Sequence, residues 1–562
     1  MLLGRCLGKT IVGVIGALAV GLLASATLVA TTQSAQALPI FARQTAQPCG
    51  NCHTDVLGLT PFGRRFKLGG YTLGGGPFRK TLFPIPPSGK VFPTVDDFRS
   101  VLVPGVAAAK DATAELRSYA AQTAGQDNAG PQNNGKKTTT APQQAINNAF
   151  AAVQQADEEK GWYPPLAVML ISGYTHTQAA DPNWQPGVNH WKANDNVGLA
   201  QASLFGGGAM SDNVGVFAQL TYGFPAIDAA KGTWGWDNVD LRYASTFQVA
   251  GTDVLFGITA HNNPTVQDVW NTAPAWTHPY FTTQLGFTGP ATSTVIDGQY
   301  GQRVGGLGTY LFINDMLYLE ATGYKTLGVA AATRLGADPL GSLGQIAGIA
   351  PYGRIALEQR FGDHNLMVGG FASRFEIAPW SVAGVPVPLD LTGAIAASPY
   401  AITNKYTDIG VDTQYQYRGD NFWVILKGAY IREQQRYDAG YVGASTPANL
   451  SDSLNTLRLS STVAIGGDNR VVATGQYFRT WGSPDAGLYG PTLTDPNWGI
   501  VPDTTGFMAE LAYLPFGTSR APYWPWFNAR LGAQYFYYTK YNGDTLTQHN
   551  KNTFILYSTI LF

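Results

Sequence analysis

From Leu166 to the C-terminus, apolar and polar residues alternate with a period of two, the pattern of β-strands with two unlike faces. Ile409 and Val411, for example, alternate with Asp408 and Asp412. Most such runs are about ten residues long, enough to cross a bilayer at a tilt. They predict about sixteen strands, with spans 166–177, 196–205, 213–222, 237–246, 253–261, 303–312, 316–324, 350–360, 364–375, 406–417, 421–433, 453–465, 469–480, 504–514, 526–538 and 552–561.

The connections between these runs are alternately short and long nearly throughout. The short ones carry tight-turn residues: Asn314-Asp315, Gly362-Asp363, Gly419-Asp420 and Gly466-Gly467-Asp468. The long ones include 262–302, 325–349, 376–405, 434–452 and 481–503. A soluble β-sandwich also alternates, but its strands usually have only about five or six residues. We therefore predict an all-β fold, an antiparallel transmembrane β-barrel of about sixteen strands over residues 163–562.

Composition supports a barrel in a bacterial outer membrane. The chain has 66 glycines and is 12% aromatic, but only 13% of its residues are charged, against about 25% in a typical globular chain. A net charge of −1 gives no sign of nucleic-acid binding. An even number of strands would return the C-terminus to the periplasmic side, and the terminal Phe562 resembles the signal read by the barrel-assembly machinery. Outer-membrane lipid and that machinery are therefore expected partners.

The N-terminus has the form of a secretory signal over residues 1–37. Arg5 and Lys9 precede an apolar stretch at 11–29, and Ala35-Gln36-Ala37 is an A-x-A cleavage site. A retained membrane anchor is the alternative. Cleavage would leave two cysteines in the mature chain, because the third, Cys6, lies in the signal.

Two further segments separate the signal from the barrel. Residues 38–78 form a compact region around a cysteine motif. Residues 79–162 are Pro-rich at the start and Gly/Asn/Lys/Thr-rich over 125–144, with helical character near 106–122 and 145–159. We predict a low-complexity, partly helical linker there.

Cys49-Gly50-Asn51-Cys52-His53 carries the C-x-x-C-H pattern that attaches a c-type haem. Two thiols bond to the vinyl groups of one porphyrin, and the adjacent imidazole ligates the iron. A zinc site would need further ligands, and a redox C-x-x-C would stand in a βαβ context that this sequence lacks. We predict one haem c attached at Cys49 and Cys52, with His53 as an axial ligand.

No motif identifies the sixth ligand of the iron. The candidates nearest in sequence are Met169 and His176 in the first predicted strand and His190 in the following loop. Met169 and His176 have opposite parity, so at most one faces the lumen if the strand is regular. An open or water-bound position is the remaining alternative. We expect solvated or interfacial roles for the other histidines, His261, His278, His364 and His549.

Phe41-Ala42-Arg43 precedes the cysteine motif, and Pro61-Phe62-Gly63-Arg64-Arg65-Phe66 follows it. This order, followed by a barrel, resembles the fused outer-membrane cytochrome–porins of iron-oxidising bacteria. The motif resemblance covers about 30 residues, and the barrel is similar in architecture and size. The resemblance implies a single haem plugged into a barrel, with Cys49, Cys52 and His53 in the family's haem-binding roles. A linker of about 80 residues departs from the family's close coupling of the two parts.

The resemblance implies electron transfer across the outer membrane, from an extracellular donor, classically Fe(II), to a periplasmic cytochrome or other carrier. An Fe(II) oxidoreductase activity would follow from such a role. The alternative is a porin or uptake channel whose haem segment is structural or regulatory. A third hypothesis is a haem enzyme, although the sequence has no recognisable distal catalytic residues.

The cytochrome segment is predicted to lie in the periplasm or inside the barrel. About 40 residues are too few to bury a porphyrin alone, so a partner surface is expected. Arg64, Arg65 and Lys67 would pair with haem propionates or lumen carboxylates, or would remain solvated.

Overall fold

The computed structural model describes residues 40–45, 49–54, 58–72, 165–181, 184, 191–223, 234–273, 285–334, 343–379, 381–382, 385–386, 402–419, 422–440, 442, 445–466, 469–493, 495–518 and 527–562. The predicted signal (1–37) and the predicted linker (79–162) lie outside these residues, as do His190 and His278.

Within the described residues, sixteen long strands form the wall of the molecule. They are β1 (Leu166–Thr177), β2 (Asn196–Ala209), β3 (Val214–Gly223), β4 (Trp234–Val249), β5 (Thr252–His261), β6 (Val304–Ile313), β7 (Leu317–Thr326), β8 (Ala350–Phe361), β9 (His364–Ala378), β10 (Asn404–Arg418), β11 (Phe422–Arg436), β12 (Ser451–Ile465), β13 (Val471–Gly482), β14 (Thr504–Tyr513), β15 (Asn528–Lys540) and β16 (Thr553–Leu561). Every predicted span overlaps one of these strands.

The wall is a closed antiparallel barrel. Each strand pairs with the next in sequence, and β16 pairs with β1, with Met169 opposite Leu561. Closure removes the unpaired edges that an open sheet would expose. The prediction of a barrel of about sixteen antiparallel strands is confirmed. A two-residue strand, Gln345–Ile346, adds to the end of β9.

The two ends of the barrel differ in their connections. At one end, which we call the short-turn end, the strands are joined by turns such as 314–316 and 362–363. Asn314 and Asp315 both have positive φ, 53° and 54°, as the two-residue turns that match strand twist require. One connection at this end, 514–527 between β14 and β15, is longer. β1 begins and β16 ends here, and the opposite end carries the long loops.

Alternation along each strand separates an apolar outer face from a polar lumen. Ile409 and Val411 are 59% and 56% exposed on the outer face, whereas Asp408 and Asp412 are buried in the lumen. Other strands repeat the outward apolar pattern at Leu307, Ile355, Val368, Leu459 and Leu511. An apolar surface this extensive is far larger than water-soluble monomers expose, and it matches the hydrocarbon core of a bilayer.

Two stretches of chain enter the lumen from opposite ends. The described parts of the β5–β6 loop, residues 262–273 and 285–303, fold inward from the long-loop end. There Val295 and Ile296 donate backbone N–H groups to Glu433 and Asp408 on the wall. The N-terminal segment enters from the short-turn end. Its described residues are 40–45, 49–54 and 58–72, with helices α1 (Ile40–Thr45), α2 (Cys49–Cys52) and α3 (Pro61–Leu68).

The remaining short elements lie in the long loops. They are α4 (Val329–Arg334), the 3₁₀ turns Pro264–Gln267 and Gln548–Lys551, the π-helical turn Val295–Gln299 and the hairpin Ser381–Val382/Val385–Pro386. No helix among the described residues is both long enough and apolar enough to span a membrane.

Candidate functional site

The N-terminal segment is docked inside the lumen at the short-turn end. Arg65 forms an ion pair with Asp315 in the β6–β7 turn. On a different part of the rim, Gly50 donates its backbone N–H to the carbonyl of Thr518, 2.7 Å away in the β14–β15 connection. Contacts with separate parts of the wall therefore hold the segment across this end of the barrel.

The C-x-x-C-H residues lie on one helical turn. Cys49 and Cys52 are three residues apart in α2 and so share a face, and neither sulfur is in a disulfide. His53 continues the turn, because its backbone N–H donates to the Cys49 carbonyl at 2.7 Å. The Cys52 carbonyl accepts from Thr60 at 2.9 Å, which ties the turn to the start of α3.

Gly63 in the Pro-Phe-Gly-Arg motif allows α3 to approach this turn. Thr60 caps α3 by accepting from the backbone N–H of Gly63 at 3.1 Å, and Pro61 is the first helical residue. A Cβ atom at position 63 would overlap the backbone of Cys52. Only glycine lets the two backbones approach this closely.

The residues of this turn are of the kinds that could hold a covalently attached haem. The two thiols lie on one face and are followed directly by an imidazole, which is the donor set that such a group uses. The pKa of the Cys52 thiol is raised to about 12, mainly by burial and also by the neighbouring Cys49, while the Arg418 guanidinium opposes the shift. Arg418 also donates to the Gly50 carbonyl at 3.2 Å, and its guanidinium lies over the ring of Trp423.

No group of three or more His, Cys, Asp or Glu side chains among the described residues could hold a metal ion.

Arg64 is the main anchor of the segment. Its side chain is 1% exposed and forms a two-point contact with Glu358 on β8, at 2.6 Å and 3.1 Å. It also donates to Gln414 at 3.0 Å, to Asn365 at 2.8 Å and to the Leu59 carbonyl at 2.7 Å. A buried guanidinium requires such complete pairing, because an unpaired charge in the interior is strongly destabilising.

Arg65 and Lys67 also face carboxylates of the barrel. Haem propionates, barrel carboxylates and solvent were the alternative partners for the three cations. Arg64 and Arg65 pair with barrel carboxylates. Lys67 is buried near Asp240, Asp268 and Glu320. The pKa of Lys67 is lowered to about 8, mainly by burial and also by Arg242, while the three carboxylates oppose the shift.

Aromatic rings fix the other side of the segment. Phe41, from the Phe-Ala-Arg motif, stacks on Tyr71 with ring centroids 5.2 Å apart and meets Phe66 edge-on at 5.1 Å. Phe217 on β3 closes the cluster from the wall. The hydroxyl of Tyr71 donates to Asp240 at 2.6 Å. The aromatic and basic residues around the cysteines thus dock the segment on the wall.

The three candidates for the sixth ligand lie in different places. Met169 faces the lumen and packs in the same apolar cluster as Ile40 of α1. His176 is on the outer face, where it is half exposed and hydrogen-bonded to Asp195 at 2.9 Å. His176 is therefore not positioned to ligate an iron in the lumen, and His190 lies outside the described residues. Opposite parity in β1 accounts for the difference.

Two residues of the lumen were missed or misjudged from the sequence. His261, expected to be solvated or interfacial, is buried and contacts Tyr324 at 3.1 Å and Gln267 at 3.0 Å. The expectation was wrong because the β5–β6 loop folds over it. Trp270 of the same loop is 1% exposed and had no sequence signal, since long loops normally lie at the surface.

Over its described residues the chain is a closed antiparallel β-barrel with a C-x-x-C-H segment in its lumen. No protein-family model and no curated protein matches it. The barrel assignment rests on the strand pairing of this chain.

Solved outer-membrane proteins are similar to part of the chain. OmpF of Salmonella typhi in complex with daunomycin has 13% identity and a TM-score of 0.39, over 71% of this chain and 97% of its own. OprB of Pseudomonas putida has 10% identity and a TM-score of 0.38, over 70% and 92%. The outer-membrane channel DcaP of Acinetobacter baumannii has 12% identity and a TM-score of 0.36, over 71% and 96%.

Proposed function

We propose that this chain is an outer-membrane electron-transfer protein that holds one haem c inside its barrel. In this proposal Cys49 and Cys52 attach the haem, and His53 ligates the iron. The observation that carries the proposal is the position of the C-x-x-C-H turn, docked in the lumen of a closed, lipid-facing wall. A passive pore needs no such turn, and a soluble cytochrome needs no such wall.

The orientation follows from the two ends of the barrel. The barrel begins at Leu166 and ends at Phe562, and both residues lie at the short-turn end. We assign this end to the periplasm. The long loops then face the exterior, where the electron donor would be, with Fe(II) the first candidate. The acceptor is a periplasmic cytochrome or other carrier, which would approach α2 beside Thr518.

The chain's own residues perform three tasks in this role. When bound, the haem supplies one-electron redox chemistry at its iron. The wall separates the turn from lipid, Arg64 and Glu358 fix the turn in place, and the β5–β6 loop fills the lumen on the exterior side. Met169 faces the same lumen and is the described candidate for the sixth ligand.

A porin or uptake channel is the second candidate function, with the haem segment structural or regulatory. The observation that favours it is the wall itself, a closed barrel of sixteen described strands with polar side chains inside. A barrel of this size can carry solutes without any redox group.

Three variants distinguish the two functions. Wild type made with haem-attachment machinery should stain for haem on denaturing gels, and Cys49→Ala/Cys52→Ala should not. In proteoliposomes, His53→Ala should abolish transfer from external Fe(II) to an enclosed acceptor, with solute permeability unchanged or higher. His549→Ala, in a loop at the other end, is the matched control and should transfer normally.

A wild-type protein that does not stain for haem would contradict the haem assignment. Undiminished transfer in His53→Ala would favour the channel. Wild type that ignores Fe(II) but accepts electrons from another donor would remove only the iron assignment.

A further inference from the structure

Two wall residues bind both the N-terminal segment and the β5–β6 loop. The carboxylate of Glu358 accepts from Arg64 at 2.6 Å and 3.1 Å and from the indole N–H of Trp270 at 2.6 Å. Gln414 accepts from Arg64 at 3.0 Å and donates to the backbone carbonyl of Trp270 at 2.5 Å. Arg64 and Trp270 enter from opposite ends of the barrel and share these partners.

A second set of wall residues repeats the arrangement. The carboxylate of Asp240 accepts from Tyr71 of the segment at 2.6 Å and from Arg242 at 2.7 Å. Arg242 in turn donates to Gln267 of the loop at 2.6 Å. Asp240 and Arg242 are both completely buried, so the hydrogen bonds from Tyr71 to Asp240 and from Arg242 to Gln267 are made away from water.

Apolar packing joins the same two elements. Leu68, in the last turn of α3, belongs to one buried cluster with Val269 and Trp270 of the loop. The Trp270 ring meets Tyr318 edge-on at 5.3 Å, and Arg354 lies 5.1 Å from its ring centroid. Trp270 is therefore held on the wall by a hydrogen bond, an aromatic contact and a cation–π contact.

We propose that Trp270 is a positioning residue for the C-x-x-C-H turn, and that Glu358 and Gln414 transmit its position to Arg64. The Glu358 carboxylate accepts from Arg64, Trp270 and Asn365. When such a carboxylate loses one donor it binds the remaining ones in a changed geometry, so Trp270 and Arg64 are energetically coupled through it. The exterior loop therefore holds the haem-attachment turn from across the lumen. This link goes beyond the proposed function and does not depend on a bound haem.

The test uses the full-length barrel made without haem-attachment machinery, in detergent micelles. The readout is the rate at which a water-soluble maleimide modifies Cys49 and Cys52. Trp270→Phe keeps an aromatic ring but removes the donor to Glu358, and should raise this rate roughly tenfold, while mobility on unheated gels shows an intact wall. Trp481→Phe, an outward-facing tryptophan on β13, is the matched control and should react like wild type.

Coupling through Glu358 is tested by combining Trp270→Phe with Arg64→Lys. The double variant should differ from the sum of the single effects, whereas Trp481→Phe combined with Arg64→Lys should be additive. If Trp270→Phe fails to assemble, Gln414→Met removes both contacts of Gln414 and should raise the rate in the same way. Wild-type maleimide rates in the assembled variants, or additive effects of Trp270→Phe and Arg64→Lys, would overturn the proposal.

Discussion

Arg64 shows how one side chain can set the position of a whole segment. The sequence marks it only as one of three cations near the cysteine motif, with several plausible partners. In the structure all of its contacts lie inside the barrel, and its strongest partner, Glu358, is 294 residues away. The planar guanidinium matches the carboxylate at two points, which a lysine ammonium cannot do.

Cys52 gives a prediction on pH at the same scale. Its pKa, 9.0 in an ordinary environment, is raised to about 12 by burial, so the folded state holds the thiol proton more tightly than the unfolded state. The resulting stabilisation is complete below pH 9 and is lost as the pH rises from 9 to 12.

Alkylation rates of haem-free Cys49→Ser protein against pH measure this shift. This variant leaves burial, the largest cause of the shift, in place. At pH 9 the folded protein should react at least about tenfold more slowly than the denatured chain. This difference in alkylation rate should shrink toward pH 12. A folded-state midpoint at or below pH 9 would contradict the prediction.

At the element scale, the N-terminal segment depends on the wall. Its three helices have 6, 4 and 8 residues, which is too short for stable isolated helices in water. Their stability must come from docking, through the Arg64 contacts, the aromatic cluster around Phe41 and the close approach at Gly63. The sequence motifs on both sides of the cysteines therefore dock the segment on the wall, and they also shape the segment itself.

We expect Arg64→Leu to release the segment while the wall stays assembled. The substitution leaves the buried Glu358 carboxylate without its charge partner, which costs about 3–5 kcal/mol. Limited proteolysis should then cleave within residues 40–72, and the conductance of reconstituted barrels should rise. Arg374→Leu is the control: its pair with Glu376 is exposed on both sides and is worth about 0–1 kcal/mol. Equal protection of the segment in both variants would argue against this anchoring role.

At the scale of the whole molecule, the barrel has two chemically different ends. Short turns and the N-terminal segment occupy one end, and the long loops occupy the other, with the β5–β6 loop folded into the lumen. The C-x-x-C-H turn therefore lies close to the short-turn end of the barrel. The β5–β6 loop covers it on the side of the long-loop end.

Epitope tags test the orientation of the two ends. A tag inserted at Gly440, in the β11–β12 loop, should be reached by antibody on intact cells. A tag at Gly419, in the β10–β11 turn, should be reached only after the outer membrane is permeabilised, because that turn would face the periplasm. The reverse pattern would invert the proposed topology and place the N-terminal segment at the exterior.

The sequence by itself determined the wall of this protein. Strand number, strand parity and the positions of the turns follow from the two-residue period and from local turn residues such as Asn314 and Asp315. These signals act between neighbours in sequence, so they can be read without knowing the fold. The separation of Met169 from His176 to opposite faces also follows from parity alone, although which face is the lumen does not.

Only the tertiary structure decided what fills the lumen. The choice of Glu358 for Arg64, the burial of His261 and the inward position of Trp270 all require the closed barrel, because they join residues far apart in sequence. Long loops and cations near a motif have no periodic pattern that could indicate such partners. Desolvation in a closed lumen makes buried charges pair, and closure is a property of all sixteen described strands together.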